Sequence, residues 1–201
     1  MSYYRIFRGF FRTIFSLVFR WQVIGRDHIP KEGPVILCAN HISLWDPPLL
    51  GSGIERQVFF MAKEELFRIP VISFLITKFG AFPVKRGAGD RAAIRSTLKL
   101  LEDGKIFGIF PEGTRSKTGE IGEGMTGVAM FALKSQAEVI PVAIIGPYRP
   151  FRPVTIVYGK PIDLTALRQA KSSSDTLKEA TDLIMAEIKK LYDEHRSKQS
   201  V

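Results

Sequence analysis

Short apolar runs recur along this chain and alternate with stretches of helical pattern. The runs, interpreted as buried strands, are residues 35–39, 58–61, 81–84, 106–110, 139–145 and 154–158. The helical stretches are 90–103, which is followed by a capping glycine, 127–136 and 175–195. This alternation predicts an α/β domain whose mostly parallel central sheet is flanked by helices. In such folds the chemistry gathers in loops beyond the carboxyl ends of the strands.

The chain is long enough for one domain with a hydrophobic core. Its 201 residues are 45% hydrophobic and 24% charged, close to the average for globular proteins. No repeat, low-complexity tract or Gly/Ser linker divides the sequence. Its one cysteine, Cys38, lies in the first apolar run, so a disulfide within the chain is impossible and a buried structural thiol is expected.

The N-terminal segment is both basic and apolar. Its longest stretch without arginine, 13–19, is far shorter than the ~20 apolar residues of a membrane-spanning helix. A helical wheel places Arg5, Arg8, Arg12 and Arg20 on one side, opposite Ile6, Phe7, Phe10, Phe11, Ile14, Leu17, Val18 and Trp21. We therefore expect residues 1–21 to form an amphipathic helix on an anionic membrane surface, ahead of a domain at 22–201. The alternative is a helix packed on the domain with its arginines in solvent.

A histidine and an aspartate lie close together after the first predicted strand. Residues 40–47 read NHISLWDP, with His41 and Asp46 five positions apart. If the loop turns back, the carboxylate can accept a hydrogen bond from one imidazole nitrogen. The other nitrogen is then free to take a proton from an attacking hydroxyl. This spacing alone is a weak signal, because it also arises by chance.

Two further motifs follow later strands and carry basic residues. Residues 110–116 read FPEGTRS, where Arg115 can bind a phosphate through two parallel hydrogen bonds and Glu112 is better suited to position the loop. Residues 80–87 read GAFPVKRG, where Lys85 and Arg86 at a strand end suit a phosphate. The alternative for both motifs is a charged surface turn.

These motifs, followed by the apolar strand at 139–143, together resemble the 1-acyl-sn-glycerol-3-phosphate acyltransferases, the lysophosphatidate acyltransferase family of phospholipid biosynthesis. The resemblance covers roughly residues 21–164. It implies that His41 is the general base and Asp46 its orienting carboxylate. The substrate phosphate would be bound by Lys85, Arg86, Glu112, Gly113, Thr114 and Arg115. Many relatives have a lysine just before the glycine at 127, where this chain has Thr126.

The resemblance also implies the substrates and the location of the reaction. An acyl-CoA or acyl-carrier-protein thioester would donate its fatty acyl chain to the sn-2 hydroxyl of lysophosphatidate, giving phosphatidate. Neither a metal nor another cofactor is expected. The enzyme would be peripheral or monotopic, on the cytoplasmic face of the cell membrane.

Two alternatives remain open at the level of the sequence. The acceptor could be glycerol-3-phosphate or another lyso-lipid, such as a lyso-ornithine lipid, because likeness of fold does not define the substrate. A net charge of +9 suits any anionic partner, so a non-catalytic protein that binds membranes or nucleic acid is also possible. No zinc finger or aromatic RNA-binding motif supports nucleic acid as a partner.

Overall fold

The computed structural model describes residues 2–85 and 90–199. The strands are β1 (Gln22–Ile24), β2 (Val35–Ala39), β3 (Val58–Lys63), β4 (Ala81–Val84), β5 (Ile106–Ile109), β6 (Glu138–Ile145) and β7 (Thr155–Tyr158). The α-helices are α1 (Ser2–Val18), α2 (Asp46–Ser52), α3 (Pro70–Lys78), α4 (Arg91–Glu102), α5 (Gly127–Lys134), α6 (Thr165–Gln169) and α7 (Ser174–Gln199). Short 3-10 turns cover Arg26–His28 and Glu64–Arg68.

The strands form one seven-stranded sheet in the order β1-β7-β6-β2-β5-β3-β4. Every neighbouring pair is parallel except β6 and β7, which are antiparallel. The carboxyl ends of β2, β3, β4 and β5 therefore meet at one edge of the sheet. His41, Lys85 and Glu112, from three of the predicted motifs, follow β2, β4 and β5 at that edge.

The sheet separates two hydrophobic layers, because alternate side chains of a strand point to opposite faces. On one face Val35, Leu37 and Ala39 of β2 pack with residues of α1 and α2. On the other face Ile36 and Cys38 pack with residues of α4, α5 and α7. All five residues of β2 are fully buried, which is typical of a central parallel strand.

The predicted α/β fold with a mostly parallel sheet flanked by helices is confirmed. The predicted strands agree with the observed ones to within two residues at each end. Strand β1 and helices α2, α3 and α6 were not predicted. A strand of three residues and a helix of seven are too short for a periodic pattern, and the residues of α3 do not segregate into apolar and polar faces.

Helix α1 packs on the domain through the side that carries some of its arginines. Tyr4, Phe15 and Phe19 belong to the main core cluster, and Phe15 is fully buried. Arg8 and Arg12 point inward and form ion pairs with Glu55 at 2.7 and 2.9 Å. Both interpretations of the sequence placed the arginines of this segment in water or at lipid headgroups. For Arg8 and Arg12 that expectation was wrong.

The inward arginines are held because α2 ends beneath them. Arg12 donates to the Ser52 carbonyl at 2.8 Å, and Arg8 also donates to the Glu55 carbonyl. Carbonyls at a helix C-terminus lack partners within the helix and attract cations. Across residues 2–85 and 90–199, no helix has the length and apolar character required to cross a bilayer.

Candidate active site

The predicted catalytic pair lies just beyond the carboxyl end of β2. His41 follows this strand by two residues, and Asp46 is the first residue of α2. The loop between them turns back, so that Nδ1 of His41 lies 2.7 Å from Oδ2 of Asp46. The sequence predicted this hydrogen bond, and the structure contains it.

The Asp46 carboxylate is fully buried and accepts several hydrogen bonds. The backbone amides of Ile42 and Ser43 donate to Oδ2 at 2.6 and 2.7 Å, in addition to the His41 contact. The two amides can only donate, so Oδ2 acts as an acceptor, and Nδ1 of His41 is assigned as the donor in the bond between them. The Nε2 atom of His41 is therefore the nitrogen that can accept a proton from a substrate.

The imidazole of His41 is fixed by its neighbours as well as by Asp46. Its ring stacks on Phe110 with the centroids 4.1 Å apart and the planes inclined by 20°. The side chain of His41 remains 17% exposed, so a substrate can reach it. The backbone carbonyl of His41 accepts a hydrogen bond from the amide of Ser116 at 2.8 Å, which joins the first motif to the loop after β5.

Glu112 holds loops together and does not offer a donor to a phosphate. Its Oε1 accepts from the His41 amide at 2.8 Å, and its Oε2 accepts from the Gly122 amide at 3.0 Å. The carboxylate therefore connects the histidine loop with two parts of the segment after β5. The expectation that Glu112 positions the loop agrees with these bonds, whereas its place among direct phosphate contacts does not.

The candidate phosphate-binding residues lie on loops at the same edge of the sheet. Gly113, Thr114 and Arg115 are exposed, and Gly113 has a φ of 66°, in the left-handed region that suits glycine. Lys85 is exposed directly after β4, where its backbone amide donates to Asp90, the N-cap of α4, at 3.0 Å. Arg86 lies outside the described residues.

A cavity of about 450 Å³ opens beside His41 on the face of the sheet that carries α4 and α5. Its lining includes His41 and Lys85 together with apolar residues such as Ile94, Phe107 and Phe131. Volumes of this size are typical of small-molecule sites. The cavity was not predicted in detail, because its walls come from strands and helices far apart in the sequence.

Tyr148 is a further residue of the site that sequence reasoning missed. Its hydroxyl donates to Oδ1 of Asp46 at 2.7 Å across a separation of 102 residues. Tyr148 follows β6 in a loop that carried no recognisable motif. Desolvation and the adjacent Asp46 charge raise the pKa of Tyr148 well above its ordinary value, so the hydroxyl remains a neutral donor.

Comparison with known proteins agrees with this geometry. Residues 20–145 match the protein family described as Acyltransferase. The chain is 33% identical over 145 residues to the 1-acyl-sn-glycerol-3-phosphate acyltransferase of Bacillus subtilis, and the alignment covers 72% of each chain. It is also 33% identical over 134 residues to the lyso-ornithine lipid O-acyltransferase of Pseudomonas aeruginosa, covering 66% of this chain and 50% of that protein.

A solved structure extends the likeness to the whole fold. The 1-acyl-sn-glycerophosphate acyltransferase PlsC from Thermotoga maritima aligns with a TM-score of 0.73 and 28% identity, covering 94% of this chain and 79% of that one. The fold is thus shared with an enzyme of acyl transfer, and this chain belongs to the acyltransferase family. The resemblance to lysophosphatidate acyltransferases that the motifs indicated is confirmed.

Proposed function

We propose that this protein transfers a fatty acyl chain from a thioester to the sn-2 hydroxyl of 1-acyl-sn-glycerol-3-phosphate, giving phosphatidate. The observation that carries the proposal is the His41–Asp46 pair, joined at 2.7 Å beside a largely apolar cavity. The relatives named as 1-acyl-sn-glycerol-3-phosphate acyltransferases support the choice of substrate.

The proposed chemistry needs only a general base. Nε2 of His41 takes the proton of the acceptor hydroxyl as its oxygen attacks the thioester carbonyl. The new C–O bond forms, the C–S bond breaks, and His41 returns the proton to the departing sulfur. Asp46 stabilises the imidazolium that forms between these steps. The thioester supplies a good leaving group, so neither a covalent acyl-enzyme nor a metal or other cofactor is part of the proposal.

The acceptor phosphate would be bound beside the histidine by Arg115, with Lys85 or Arg86. Arg115 lies on the loop whose Ser116 amide bonds to the His41 carbonyl, so this loop reaches the catalytic histidine. Lys85 lines the cavity next to His41. Guanidinium and ammonium groups are suitable donors for a phosphate monoester.

The acyl chain of the donor would occupy the cavity between the sheet, α4 and α5. Its interior has more apolar than polar character, and burial of a fatty chain in such a space is favourable. The donor would be an acyl-CoA or an acyl-carrier protein. A lyso-ornithine lipid remains the second candidate acceptor, supported by the relative from Pseudomonas aeruginosa.

The enzyme would reach its lipid substrate by binding an anionic membrane surface, on the cytoplasmic face of the cell membrane. The side of α1 that faces away from the domain carries large apolar residues: Ile6, Phe10 and Leu17 are 66%, 57% and 71% exposed. Exposed apolar residues on a helix are typical of a site that meets lipid or a partner protein.

Helix α3 extends this apolar surface. None of its nine residues is buried, although it includes Val71, Phe74 and Leu75. The ammonium group of Lys78 lies 5.0 Å from the ring centre of Tyr3 in α1 and 5.8 Å from that of Phe74, so the exposed rows of α1 and α3 adjoin there. Apolar side chains next to a cation suit a bilayer of anionic lipids.

The test of the proposed activity is release of free thiol by the purified protein. We expect turnover with an acyl-CoA or acyl-carrier-protein donor and lysophosphatidate. We expect His41→Ala to lower kcat by a factor of about 10²–10⁴, the range for loss of general base catalysis. Substrate binding should persist in the variant, because His41 acts on the proton of the hydroxyl.

The controls separate the remaining alternatives. His28→Ala changes a histidine remote from the cavity, whose Nδ1 contacts the Tyr158 carbonyl at 2.9 Å, and should retain kcat. Turnover with lyso-ornithine lipid in place of lysophosphatidate would change the acceptor but preserve the reaction. No His41-dependent thiol release with any acceptor would refute acyl transfer and leave a non-catalytic binding protein.

A further inference from the structure

Tyr148 contacts the buried end of the catalytic pair and not its substrate side. Its hydroxyl donates to Oδ1 of Asp46 at 2.7 Å, while the imidazole of His41 contacts Oδ2. The ring of Tyr148 packs edge-on against Phe19, with their centroids 5.7 Å apart. Phe19 is buried in the main core cluster, so the tyrosine ring is held from the side of the core.

The two oxygens of Asp46 are held very differently. Oδ2 accepts from His41 and from the amides of Ile42 and Ser43. Among the residues that the structure describes, Tyr148 is the one that donates to Oδ1. Removing that hydroxyl would leave a buried carboxylate oxygen without its donor, which favours rotation of the carboxylate or entry of water.

We propose that Tyr148 is a positioning residue for the reaction: its hydroxyl fixes the Asp46 carboxylate so that Oδ2 orients His41 toward the acceptor. This inference rests on the proposed roles of His41 and Asp46. It assigns Tyr148 no proton transfer, because its contact is with Asp46. The raised pKa of its hydroxyl agrees with a permanent donor.

The first measurement is the kinetics of Tyr148→Phe, which removes the hydroxyl and retains the ring packed on Phe19. We expect kcat to fall about tenfold or more, the effect of losing a hydrogen bond to a charged group, with little change in KM for either substrate. In an Asp46→Asn background the same substitution should have little further effect, because residues that act through one another are not additive.

The matched control is Tyr158→Phe. Tyr158 is also a buried tyrosine whose hydroxyl donates to α2, but it bonds to the Leu50 carbonyl at 2.8 Å and not to Asp46. This variant should lose stability and retain kcat. If Tyr148 had only a structural role, Tyr148→Phe would likewise lose stability and retain kcat.

A second measurement does not depend on turnover. The Nδ1 proton of His41, held by Asp46, can be followed by proton NMR in 15N-histidine-labelled protein. We expect its signal to shift or broaden in Tyr148→Phe and to persist unchanged in Tyr158→Phe. Either a wild-type kcat or an unchanged signal in Tyr148→Phe would overturn the positioning role.

The outcomes distinguish this inference from the proposed function. If the wild-type protein turns over and Tyr148→Phe matches it, the inference on Tyr148 fails and acyl transfer stands. If the wild-type protein shows no thiol release that depends on His41, the proposed function fails instead. The NMR comparison then still decides whether Tyr148 positions the His41–Asp46 pair.

Discussion

Two carboxylates organise the candidate site at the scale of single residues. Asp46 bonds to the imidazole of His41, and Glu112 bonds to its backbone amide. Both carboxylates accept hydrogen bonds from protein groups, so their negative charges point into the protein. Lys85 and Arg115 are exposed cations at this edge of the sheet that an anionic substrate can reach.

At the scale of single residues, the prediction concerns the substitution of Arg115. Arg115→Ala should raise the KM for lysophosphatidate about tenfold or more, because it removes charge-assisted hydrogen bonds to the phosphate. The KM for the thioester and kcat should change little. Steady-state thiol release at varied concentrations of each substrate measures these constants separately.

Lys117 provides the matched control, since it is another exposed cation on the same segment. Lys117→Ala lowers the local positive charge by the same amount, and we expect a much smaller rise in the KM for lysophosphatidate. Equal effects of the two substitutions would mean that the loop acts through its general field. A change confined to the KM for the thioester would mean that Arg115 binds the acyl donor and not the phosphate of the acceptor.

At the scale of secondary structure elements, the main feature is how α1 packs on the domain. Arginines and aromatic rings of α1 share the side of the helix that packs on α2. Large aliphatic and aromatic residues lie on its outer side. Deleting the helix would remove Phe15 from the core, so lost membrane binding could not be separated from unfolding. Substitutions on the outer row avoid this difficulty.

Phe10→Glu in α1 and Phe74→Glu in α3 should each weaken binding to vesicles of mixed anionic and neutral lipids. Both residues are more than half exposed, so a charge there should not disturb the core. The cost of placing a charge at the lipid boundary should appear as a several-fold loss of affinity, and the double variant should lose more. Vesicle co-sedimentation measures the bound fraction.

Leu183→Glu is the control for this experiment. Leu183 is an exposed leucine of α7, on the opposite face of the sheet from α1. The Leu183→Glu variant carries the same change of charge as the other two variants and should bind vesicles like the wild type. Normal binding of both Phe10→Glu and Phe74→Glu would show that the membrane contact lies on another surface.

At the scale of the whole molecule, three tyrosine hydroxyls converge on the short helix that begins with Asp46. Tyr4 of α1 donates to the Gly51 carbonyl at 2.9 Å, and Tyr158 of β7 donates to the Leu50 carbonyl at 2.8 Å. Tyr148 donates to the Asp46 side chain. Helix α2 is therefore tied to the N-terminal helix, to the sheet and to the loop after β6.

These tyrosines predict how stability depends on pH. Burial raises the pKa of Tyr4 to about 12 and also raises the pKa values of Tyr148 and Tyr158 above their ordinary value. The unfolded chain loses these protons near pH 10, before the folded protein does. Their contribution to stability is thus complete below about pH 10 and falls as the pH rises toward 12 and beyond.

Urea denaturation at a series of alkaline pH values measures this effect. Tyr4 and Tyr158 should each reduce the free energy of unfolding by about 1.4 kcal/mol at about pH 11. Tyr158→Phe should be less stable at neutral pH yet lose less stability between about pH 9 and 11 than the wild type. An identical decline in the two proteins would mean that Tyr158 ionises as easily when folded as when unfolded.

Much of the architecture follows from local patterns in the sequence. Short apolar runs and the helices between them predicted the α/β fold and most strand ends, because the periodicity of a strand or helix is set by its own residues. The His41–Asp46 hydrogen bond was also predictable, since only four residues separate His41 from Asp46. The motif order was sufficient to indicate the acyltransferase family.

Tertiary structure decided the contacts between distant segments. Glu112 bonds to His41 across 71 residues and Tyr148 to Asp46 across 102, and neither bond follows from the local pattern around any of these residues. The same holds for α1, where a helical wheel separates two sides but does not say which one packs inward. A helical wheel contains only the sequence of one helix. The groups that bind Arg8 and Arg12 are Glu55 and the carbonyl end of α2, and both come from elsewhere in the chain.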